Sequence, residues 1–263
     1  MSGEDPVLRR VRLSVEELAF TRASGDLFGP VSFSVDAGEL LGVIGPTGSG
    51  KSDLFDLLGG RRMPRGGSIL FDGQQIEMLE ADARMRLGLV LVSDPAPAFA
   101  DVTVFDWLAM AIQLVDRSPL QLLLRGRKAL DQSQRGDIAA ILQFCSLQGV
   151  ANERLSTLTP AQLKITEIAR GLCQRPRLML LHRPFSGLPR AQRHDLSLVL
   201  KDIAAEAVSL MIVDEQLDVL GPLCDRFLVL QRGHLVASGA LEDLTGNHAA
   251  IQAFTGSSPK VAA

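Results

Sequence analysis

The sequence lacks the features of a membrane-spanning, secreted or metal-stabilised chain. It has no run of 18 or more apolar residues, although 46% of its 263 residues are hydrophobic. The first ten residues lack the hydrophobic segment of a signal peptide. Only three cysteines occur, Cys145, Cys173 and Cys224, far apart and without a CxxC pattern, which argues against a zinc site or a disulfide framework. We therefore expect a soluble protein with reduced thiols, no direct membrane insertion, and any membrane role through a partner.

The chain also lacks an excess of positive charge. Its formal net charge is -3, which gives no electrostatic reason to expect nucleic acid or an anionic membrane surface as a partner. The local basic cluster at 61–65 is interpreted as a solvated loop. The length of 263 residues is sufficient for a large buried core.

Strands and helices alternate along most of the chain, which predicts a parallel sheet covered by helices. Residues 11–44 form short strands in this interpretation, with turns at "GPV" and "DAGE", and "LLGVIG" is a strand buried on both faces. Further strands are predicted at 66–76, 178–181 and 209–213, with a hairpin around Arg232 and Gly233. Helices are predicted at 51–58, 160–174 and 190–206, and helical periodicity also marks 103–115 and 135–150.

A glycine-rich motif lies between the buried strand and the first helix. The residues "GPTGSGKSD" fit the pattern G-x-x-x-x-G-K-[ST] in the strand-to-helix context that makes the match credible. The glycines let backbone N–H groups face phosphate oxygens, Lys51 reaches the β- and γ-phosphates, and the Ser52 hydroxyl binds Mg²⁺. The predicted nucleotide-binding residues are Gly45, Pro46, Thr47, Gly48, Ser49, Gly50, Lys51, Ser52 and Asp53.

Asp53 is the irregular residue of this motif. A carboxylate close to a phosphate is repelled by roughly 4 kcal/mol per unit-charge pair at 4 Å and an effective dielectric constant of 20. We therefore expect Asp53 either to turn towards solvent or a cation, or to weaken nucleotide binding.

With these motifs, the chain resembles the ATP-binding subunits of ABC transporters, and among them those of branched-chain amino-acid importers. The resemblance rests on "GVIGPTGSGKS", "GGSILFDGQQI", "VTVFDWL", "EIARGL" with "RPRLMLL", the "FSGL" turn, and the ending "LVLQRGHLVASGALEDL" with "IQAFTG". It covers about residues 11–256. The fold it implies is α/β, a P-loop NTPase core with a mostly parallel sheet, an N-terminal antiparallel β subdomain and an inserted helical subdomain.

The resemblance also implies a domain organisation, cofactors and partners. The whole chain, 1–263, would be a single nucleotide-binding domain, with its core at 11–95 and 175–245, a helical subdomain at 103–172 and a tail at 246–263. ATP and Mg²⁺ would be its cofactors. The partners would be a second nucleotide-binding subunit, in a homodimer or heterodimer, and transmembrane permease subunits. The implied location is cytoplasmic, at the inner face of the membrane.

Several functional positions of the family carry unusual residues in this chain. The signature motif, which contacts the partner's nucleotide, falls on "LTPAQ" and includes Thr159, Ala161 and Gln162. The acidic pair that orients Mg²⁺ and acts as general base falls on His182 and Arg183.

Three further positions also differ. The switch histidine falls on Glu215, and the glutamine near the metal falls close to Asp94. Arg22 stands where an aromatic side chain stacks on adenine, with Phe20 nearby as a substitute. The candidate catalytic residues are thus Arg183 and Glu215, and the candidate metal ligands are Ser52, Asp94 and His182.

A second acidic pair offers an alternative. "LMIVDE", residues 210–215, ends in Asp214 and Glu215 after an apolar run, but chain order and the missing "FSGL" turn argue against it as the metal-binding strand. Its strand should nevertheless lie beside the glycine-rich loop, so either acid could have taken a base or metal role.

Two functions follow from these departures. Loss of the base and of the metal-orienting acid predicts an ATP-binding transporter subunit with weak or absent hydrolysis. The alternative is a non-hydrolysing pseudo-ATPase that acts as a structural or regulatory dimer partner. A P-loop kinase or GTPase is disfavoured, since it leaves the later motifs unexplained.

Overall fold

The computed structural model describes residues 10–22, 25–93, 99–116 and 130–246. Within these ranges, two sheets and the helices packed on them surround continuous apolar clusters. In the described part of the chain, no helix is both long enough and apolar enough to cross a bilayer.

The first sheet is antiparallel and belongs to the N-terminal part of the chain. It contains β1 (Val11–Thr21), β2 (Leu27–Asp36), β4 (Gly66–Phe71) and β5 (Gln74–Gln75), in the order β2-β1-β4-β5. Alternating side chains of β1 and β2, such as Leu13, Val15 and Val35, are buried on the face that covers α1 (Lys51–Leu58). One face of this sheet therefore packs against α1.

The second sheet has six strands and holds the carboxyl ends that matter for the site. Its members are β3 (Leu40–Ile44), β6 (Leu89–Val92), β7 (Leu178–His182), β8 (Ser209–Val213), β9 (Arg226–Gln231) and β10 (His234–Gly239). The order is β10-β9-β3-β8-β7-β6, and every neighbouring pair is parallel except β9 and β10. The strands β3 and β8 are buried along their whole length, as both faces are covered.

Helices cover both faces of this sheet and form a separate cluster. Besides α1, they are α2 (Ala81–Arg86), α3 (Val104–Asp116), α4 (Gln132–Phe144), α5 (Pro160–Leu172), α6 (Arg190–Ala205), α7 (Leu217–Leu223) and α8 (Leu241–Thr245). The helices α3, α4 and α5 share an apolar cluster of their own.

A buried polar contact ties two of these helices together. Trp107 Nε1 donates to Glu167 Oε1 at 2.6 Å, and Arg170 Nε donates to Glu167 Oε2 at 2.9 Å. The guanidinium of Arg170 also lies 5.3 Å from the Trp107 ring centroid. Because α5 also contributes Ile168 to the cluster under the parallel sheet, it links the helical part to the core.

The predicted fold class is confirmed, with local corrections. The "GPV" segment is not a turn, because Gly29 and Pro30 lie inside β2. A register shift against β1 accommodates them as a bulge, in which Gly29 has φ 88° and donates its N–H to Gly233 O at 2.8 Å. The strand predicted at 66–76 is a hairpin of β4 and β5, and sequence periodicity missed the short helices α2, α7 and α8. The bounds of the subdomains and of the tail stay a prediction.

Arg84 is a buried cation that closes the C-terminal end of α1. Its side chain is 0% exposed and donates to the carbonyl oxygens of Leu57, Leu58, Leu79 and Glu77 at 2.6 to 2.9 Å. Carbonyls at a helix end have no partner within the helix, so a buried cation there satisfies them. Burial lowers the pKa of Arg84 to about 10, with Glu77 opposing that shift. The helix that begins at the glycine-rich loop is therefore fixed at its other end by one side chain.

We predict that Arg84→Ala destabilises the protein by at least about 3 kcal/mol, because it leaves several buried carbonyls without donors. At this chain length the loss lowers the melting temperature by about 6–12 °C. Arg86→Ala is the matched control, since Arg86 on the same helix makes only an exposed pair with Asp82. Equal melting temperatures for the two variants would contradict the role assigned to Arg84.

Candidate functional site

The glycine-rich loop joins the buried end of β3 to the first turn of α1. Pro46 O accepts from Ser49 N at 3.1 Å, and Ser49 O accepts from Gly233 N at 2.8 Å, which anchors the loop to the β9–β10 turn. The backbone N–H groups at the start of α1 have no helical partner, and the helix dipole places partial positive charge there. The loop thus provides the geometry of an anion site.

Two glycines of the loop have a structural requirement. Gly45 has φ 149°, and a Cβ there would lie 2.1 Å from Leu230 O. Gly50 has φ 105°, and a Cβ there would lie 2.8 Å from the Phe28 ring. A side chain at either position would collide with backbone or with a buried ring, so the path of the loop depends on them.

Lys51 is bound into the loop itself. Its Nζ donates to Gly45 O at 2.6 Å, to Pro46 O at 2.9 Å and to Ser49 Oγ at 3.3 Å. Burial lowers the pKa of Lys51, Glu215 opposes this, and Arg183 lowers it further. The ammonium therefore shares the cleft with an acid and a second cation, both of which act on its charge.

A cleft of about 400 Å³ opens beside this loop. It brings together the loop, the carboxyl ends of β7 and β8, and Arg22, which directly follows β1. Its lining residues are Arg22, Thr47, Gly48, Ser49, Gly50, Lys51, Ser52, Asp53, His182, Arg183, Val213, Asp214 and Glu215. Most residues predicted for the nucleotide, and the candidate catalytic pair Arg183 and Glu215, are thus brought to one cavity.

Some predicted residues do not line the cleft. Gly45 and Pro46 lie behind it and contribute their carbonyls to Lys51. The ring of Phe20 is covered by the Arg62 guanidinium, 5.3 Å from its centroid. Asp94 lies outside the described residues.

His182 occupies the carboxyl end of β7 and contacts the loop. Its Nε2 is hydrogen-bonded to Ser52 Oγ at 3.2 Å, and its ring centroid lies 6.0 Å from that of Phe55. Parallel pairing of β7 with β8 places His182 opposite Val213, and β8 in turn pairs with β3. The expectation that the strand of Glu215 lies beside the loop strand is therefore confirmed.

Arg183 follows with an unusual backbone and an exposed side chain. Its φ is 54°, in the left-handed region, and its N–H donates to Val213 O at 2.7 Å. Its carbonyl accepts from Lys164 Nζ at 3.1 Å. These bonds fix the backbone at the mouth of the cleft, which leaves the guanidinium on the cleft wall.

Asp214 holds the turn that follows β7. Its residue is 2% exposed, and its Oδ2 accepts from Phe185 N at 2.8 Å. Its Oδ1 accepts from Glu215 N at 2.7 Å and from Gln216 N at 3.3 Å. A carboxylate that satisfies three backbone N–H groups is a structural anchor. Sequence reasoning considered Asp214 only as a possible base or metal ligand and missed this role.

The oxygen donors of the cleft do not fit Mg²⁺. This ion prefers six oxygen ligands in near-ideal octahedral geometry, normally with one or two protein carboxylates. Here the Ser52 hydroxyl is engaged by His182, and both Asp214 oxygens accept from backbone. Among the residues that the structure describes, no cluster of three His, Cys, Asp or Glu side chains could hold a metal.

Asp53 turns towards cations, one of the two outcomes expected for it. Arg22 Nε donates to Asp53 Oδ2 at 2.7 Å, and Arg62 Nη1 donates to Asp53 Oδ1 at 3.2 Å. Arg62 also pairs with Asp56 at 3.3 Å. The interpretation of 61–65 as a solvated loop therefore missed Arg62, whose partners lie on the first turns of α1.

The "LTPAQ" segment forms the N-terminus of α5. Thr159 is the N-cap, Pro160 is at the first helical position, and the residues Thr159 and Gln162 form a capping box. Gln162 Oε1 accepts from Thr159 N at 2.9 Å and from Thr159 Oγ1 at 3.0 Å. Thr159, Ala161 and Gln162 do not line the cleft described above, and their contact with a partner's nucleotide stays a prediction.

Comparison with known proteins places this geometry in context. A family model described as "ABC transporter" matches residues 28–186, which is more than half of the chain. The lipopolysaccharide export system ATP-binding protein LptB of Haemophilus influenzae is 24% identical over 245 residues, or 93% of this chain and 97% of that protein. The methionine import ATP-binding protein MetN 1 of Pseudomonas syringae pv. syringae is 29% identical over 230 residues, or 86% of this chain and 65% of that protein.

A solved structure has the same fold. The ADP conformation of MJ1267, an ATP-binding cassette of an ABC transporter, superposes with a TM-score of 0.85 at 22% identity. The superposition covers 94% of this chain and 99% of that one.

We predict that Arg22 and Asp53 stabilise the fold jointly. The two side chains are 20% and 19% exposed, so a double-mutant cycle with Arg22→Gln and Asp53→Asn should give a coupling of about 1 kcal/mol in the free energy of unfolding. The control cycle uses Arg154 and Asp101, a pair at 3.2 Å whose side chains are 64% and 87% exposed. A coupling for Arg22 and Asp53 no larger than that of the control would show that Asp53 is not neutralised by Arg22.

Proposed function

This chain belongs to the ABC transporter family, and from that premise we propose that it is an ATP-binding subunit whose own site hydrolyses ATP weakly or not at all. The observation that supports impaired hydrolysis is the contact between His182 and Ser52, in the place where the family has an acid. The residue that follows, at the position of the general base, is Arg183. Arg183 has no acceptor for a proton, and neither side chain offers the carboxylate oxygens that orient Mg²⁺.

The expected loss of rate is large. A positioned general base contributes roughly 10²- to 10⁴-fold, and a metal ion adds several kcal/mol of stabilisation to the charge on a transferring phosphoryl group. Of the carboxylates that line the cleft, Asp53 is paired with two arginines and Asp214 is held by backbone N–H groups. Glu215 is the third, and its charge acts on Lys51. A single carboxylate does not replace both the metal-orienting acid and the general base whose places His182 and Arg183 take.

We also propose a class of transported solute and a direction of transport. The sequence motifs favour an importer of the branched-chain amino-acid class. The names of the relatives include both export, for LptB, and import, for MetN 1, so they do not separate the two directions. We propose the importer class on the motifs alone.

We further propose a dimer with a second nucleotide-binding subunit, docked on transmembrane permease subunits at the inner face of the membrane. In a head-to-tail dimer, one composite site uses the loop of this chain and the other uses its "LTPAQ" segment. That segment retains the Thr159 hydroxyl but has Pro160 and Ala161 where the family keeps bare backbone. Both composite sites are therefore altered by this chain.

The second candidate function is a pseudo-ATPase that binds nucleotide and acts as a structural or regulatory dimer partner. The capping box supports it, because Thr159 and Gln162 already satisfy one another and the helix end. A transport assay separates the two candidates. Transport that continues when only the partner subunit hydrolyses ATP favours the second, and transport that slows when Lys51→Ala removes the weak turnover at this chain's loop favours the first.

We predict that steady-state ATPase activity of the purified chain does not exceed that of Lys51→Ala. The reason is that the base and the metal-orienting acid are absent, while Lys51→Ala removes the phosphate-binding cation of the loop. Phosphate release is the measurement, with the two proteins matched in concentration and melting temperature.

The double variant His182→Asp with Arg183→Glu completes this test. A rise of about tenfold or more over wild type would indicate that the rest of the catalytic machinery is intact. Wild-type turnover far above that of Lys51→Ala would contradict the proposed loss of hydrolysis. It would not contradict the proposed binding of ATP.

A further inference from the structure

We propose that this chain holds the phosphates of its nucleotide without a divalent metal ion, with His182 and Arg183 in the place of the ion and its ligands. The inference rests on the proposed ATP-binding function and concerns how the same cleft binds. It follows from three features of the described residues: an engaged hydroxyl, a set of cations, and carboxylates that are already committed.

The engaged hydroxyl is Ser52 Oγ. In loops of this type the Ser or Thr hydroxyl coordinates Mg²⁺, but here it is hydrogen-bonded to His182 Nε2 at 3.2 Å. A metal ion beside Ser52 would have to displace the imidazole, which is held at the end of β7 and lies against Phe55. Imidazole nitrogen is a poor ligand for Mg²⁺, which prefers oxygen. The position beside Ser52 that the ion would take is therefore occupied by the imidazole of His182.

The cations are Lys51 and Arg183. Lys51 bonds the loop carbonyls and has a lowered pKa because it is buried, and Arg183 contributes to that shift. A guanidinium offers planar pairs of donors that match phosphate oxygens. Lys51 and Arg183 attract a bare polyphosphate more strongly than a polyphosphate whose charge is partly neutralised by Mg²⁺, and they repel the ion itself.

Most carboxylates of the cleft are already bound to other groups of the protein. Asp53 is paired with Arg22 and Arg62, and Asp214 accepts from three backbone N–H groups. Glu215 lies close enough to influence Lys51 and is the remaining acid. Mg²⁺ normally takes one or two protein carboxylates together with waters and substrate phosphates, and Glu215 alone would have to supply those carboxylates beside Lys51 and Arg183. Glu215 instead limits the affinity for the terminal phosphate by like-charge repulsion.

The test is a titration of the full chain with a fluorescent ATP analogue, in excess EDTA and in excess Mg²⁺. We expect binding in EDTA that is as tight as, or tighter than, binding in Mg²⁺, and Lys51→Ala abolishes binding in both conditions. Glu215→Gln should tighten binding in EDTA by about threefold or more, because a charge that repels phosphate is removed.

Two further variants test the role of the histidine. His182→Asp frees Ser52 and adds a carboxylate, so Mg²⁺ should then tighten binding by about tenfold or more. His194→Asp is the matched control, because His194 is exposed on α6 and does not line the cleft; it should leave both dissociation constants unchanged.

The outcomes separate the inference from the proposed function. Wild-type binding that is at least about tenfold tighter in Mg²⁺ than in EDTA overturns the inference and leaves ATP binding in place. Absence of binding in both conditions overturns the proposed ATP-binding function together with the inference. A folded His182→Asp variant whose dissociation constant does not change with Mg²⁺ also contradicts the inference. The hydrogen bond between His182 and Ser52 would then not be what excludes the ion.

Discussion

The side-by-side parallel pairing of β3, β8 and β7 is the constraint on which the rest of the site depends. Pairing of β3 with β8 and of β8 with β7 brings three carboxyl ends to one edge of the sheet. At that edge lie the glycine-rich loop, Glu215 and the His182–Arg183 pair. Parallel strands need long crossovers, so residues more than a hundred positions apart meet here. Any substitution at the end of one strand therefore faces groups from the other two.

The unusual residues of the cleft occur in compensating groups. A carboxylate at position 53 would repel a phosphate, but Arg22 and Arg62 neutralise it. An arginine stands at position 22 instead of the aromatic residue expected there, and its guanidinium is bound to Asp53. The histidine at position 182 satisfies the hydroxyl that a metal ion would otherwise bind. Each pair is chemically consistent within itself, which is unlike the pattern that unrelated losses would produce.

Sequence reasoning predicted the fold class and most of the cleft but not its internal contacts. Local patterns sufficed for the loop, since "GPTGSGKS" between a buried strand and a helix has few other interpretations. The alternation of strands and helices predicted the parallel sheet but not its strand order. The pairing of Asp53 with Arg22 and Arg62 could not be derived, because it joins an irregular segment, a helix and a loop through side-chain directions. "GPV" was wrongly predicted as a turn, since a bulge uses the same residues inside a strand. The anchoring role of Asp214 likewise depends on a turn 29 residues away in sequence.

Asp214 also explains how the acidic pair could be lost without loss of the fold. The turn after β7 is held by the Asp214 carboxylate, which accepts from Phe185 N, and by backbone bonds from Arg183 and Ser186. None of these bonds uses the side chain at 182 or 183. The backbone after β7 therefore does not depend on those side chains, whereas Gly45 and Gly50 of the loop cannot change without collision. Folding alone thus requires these two glycines but no particular side chains at 182 and 183, so the intact loop does not by itself show that the site turns over nucleotide.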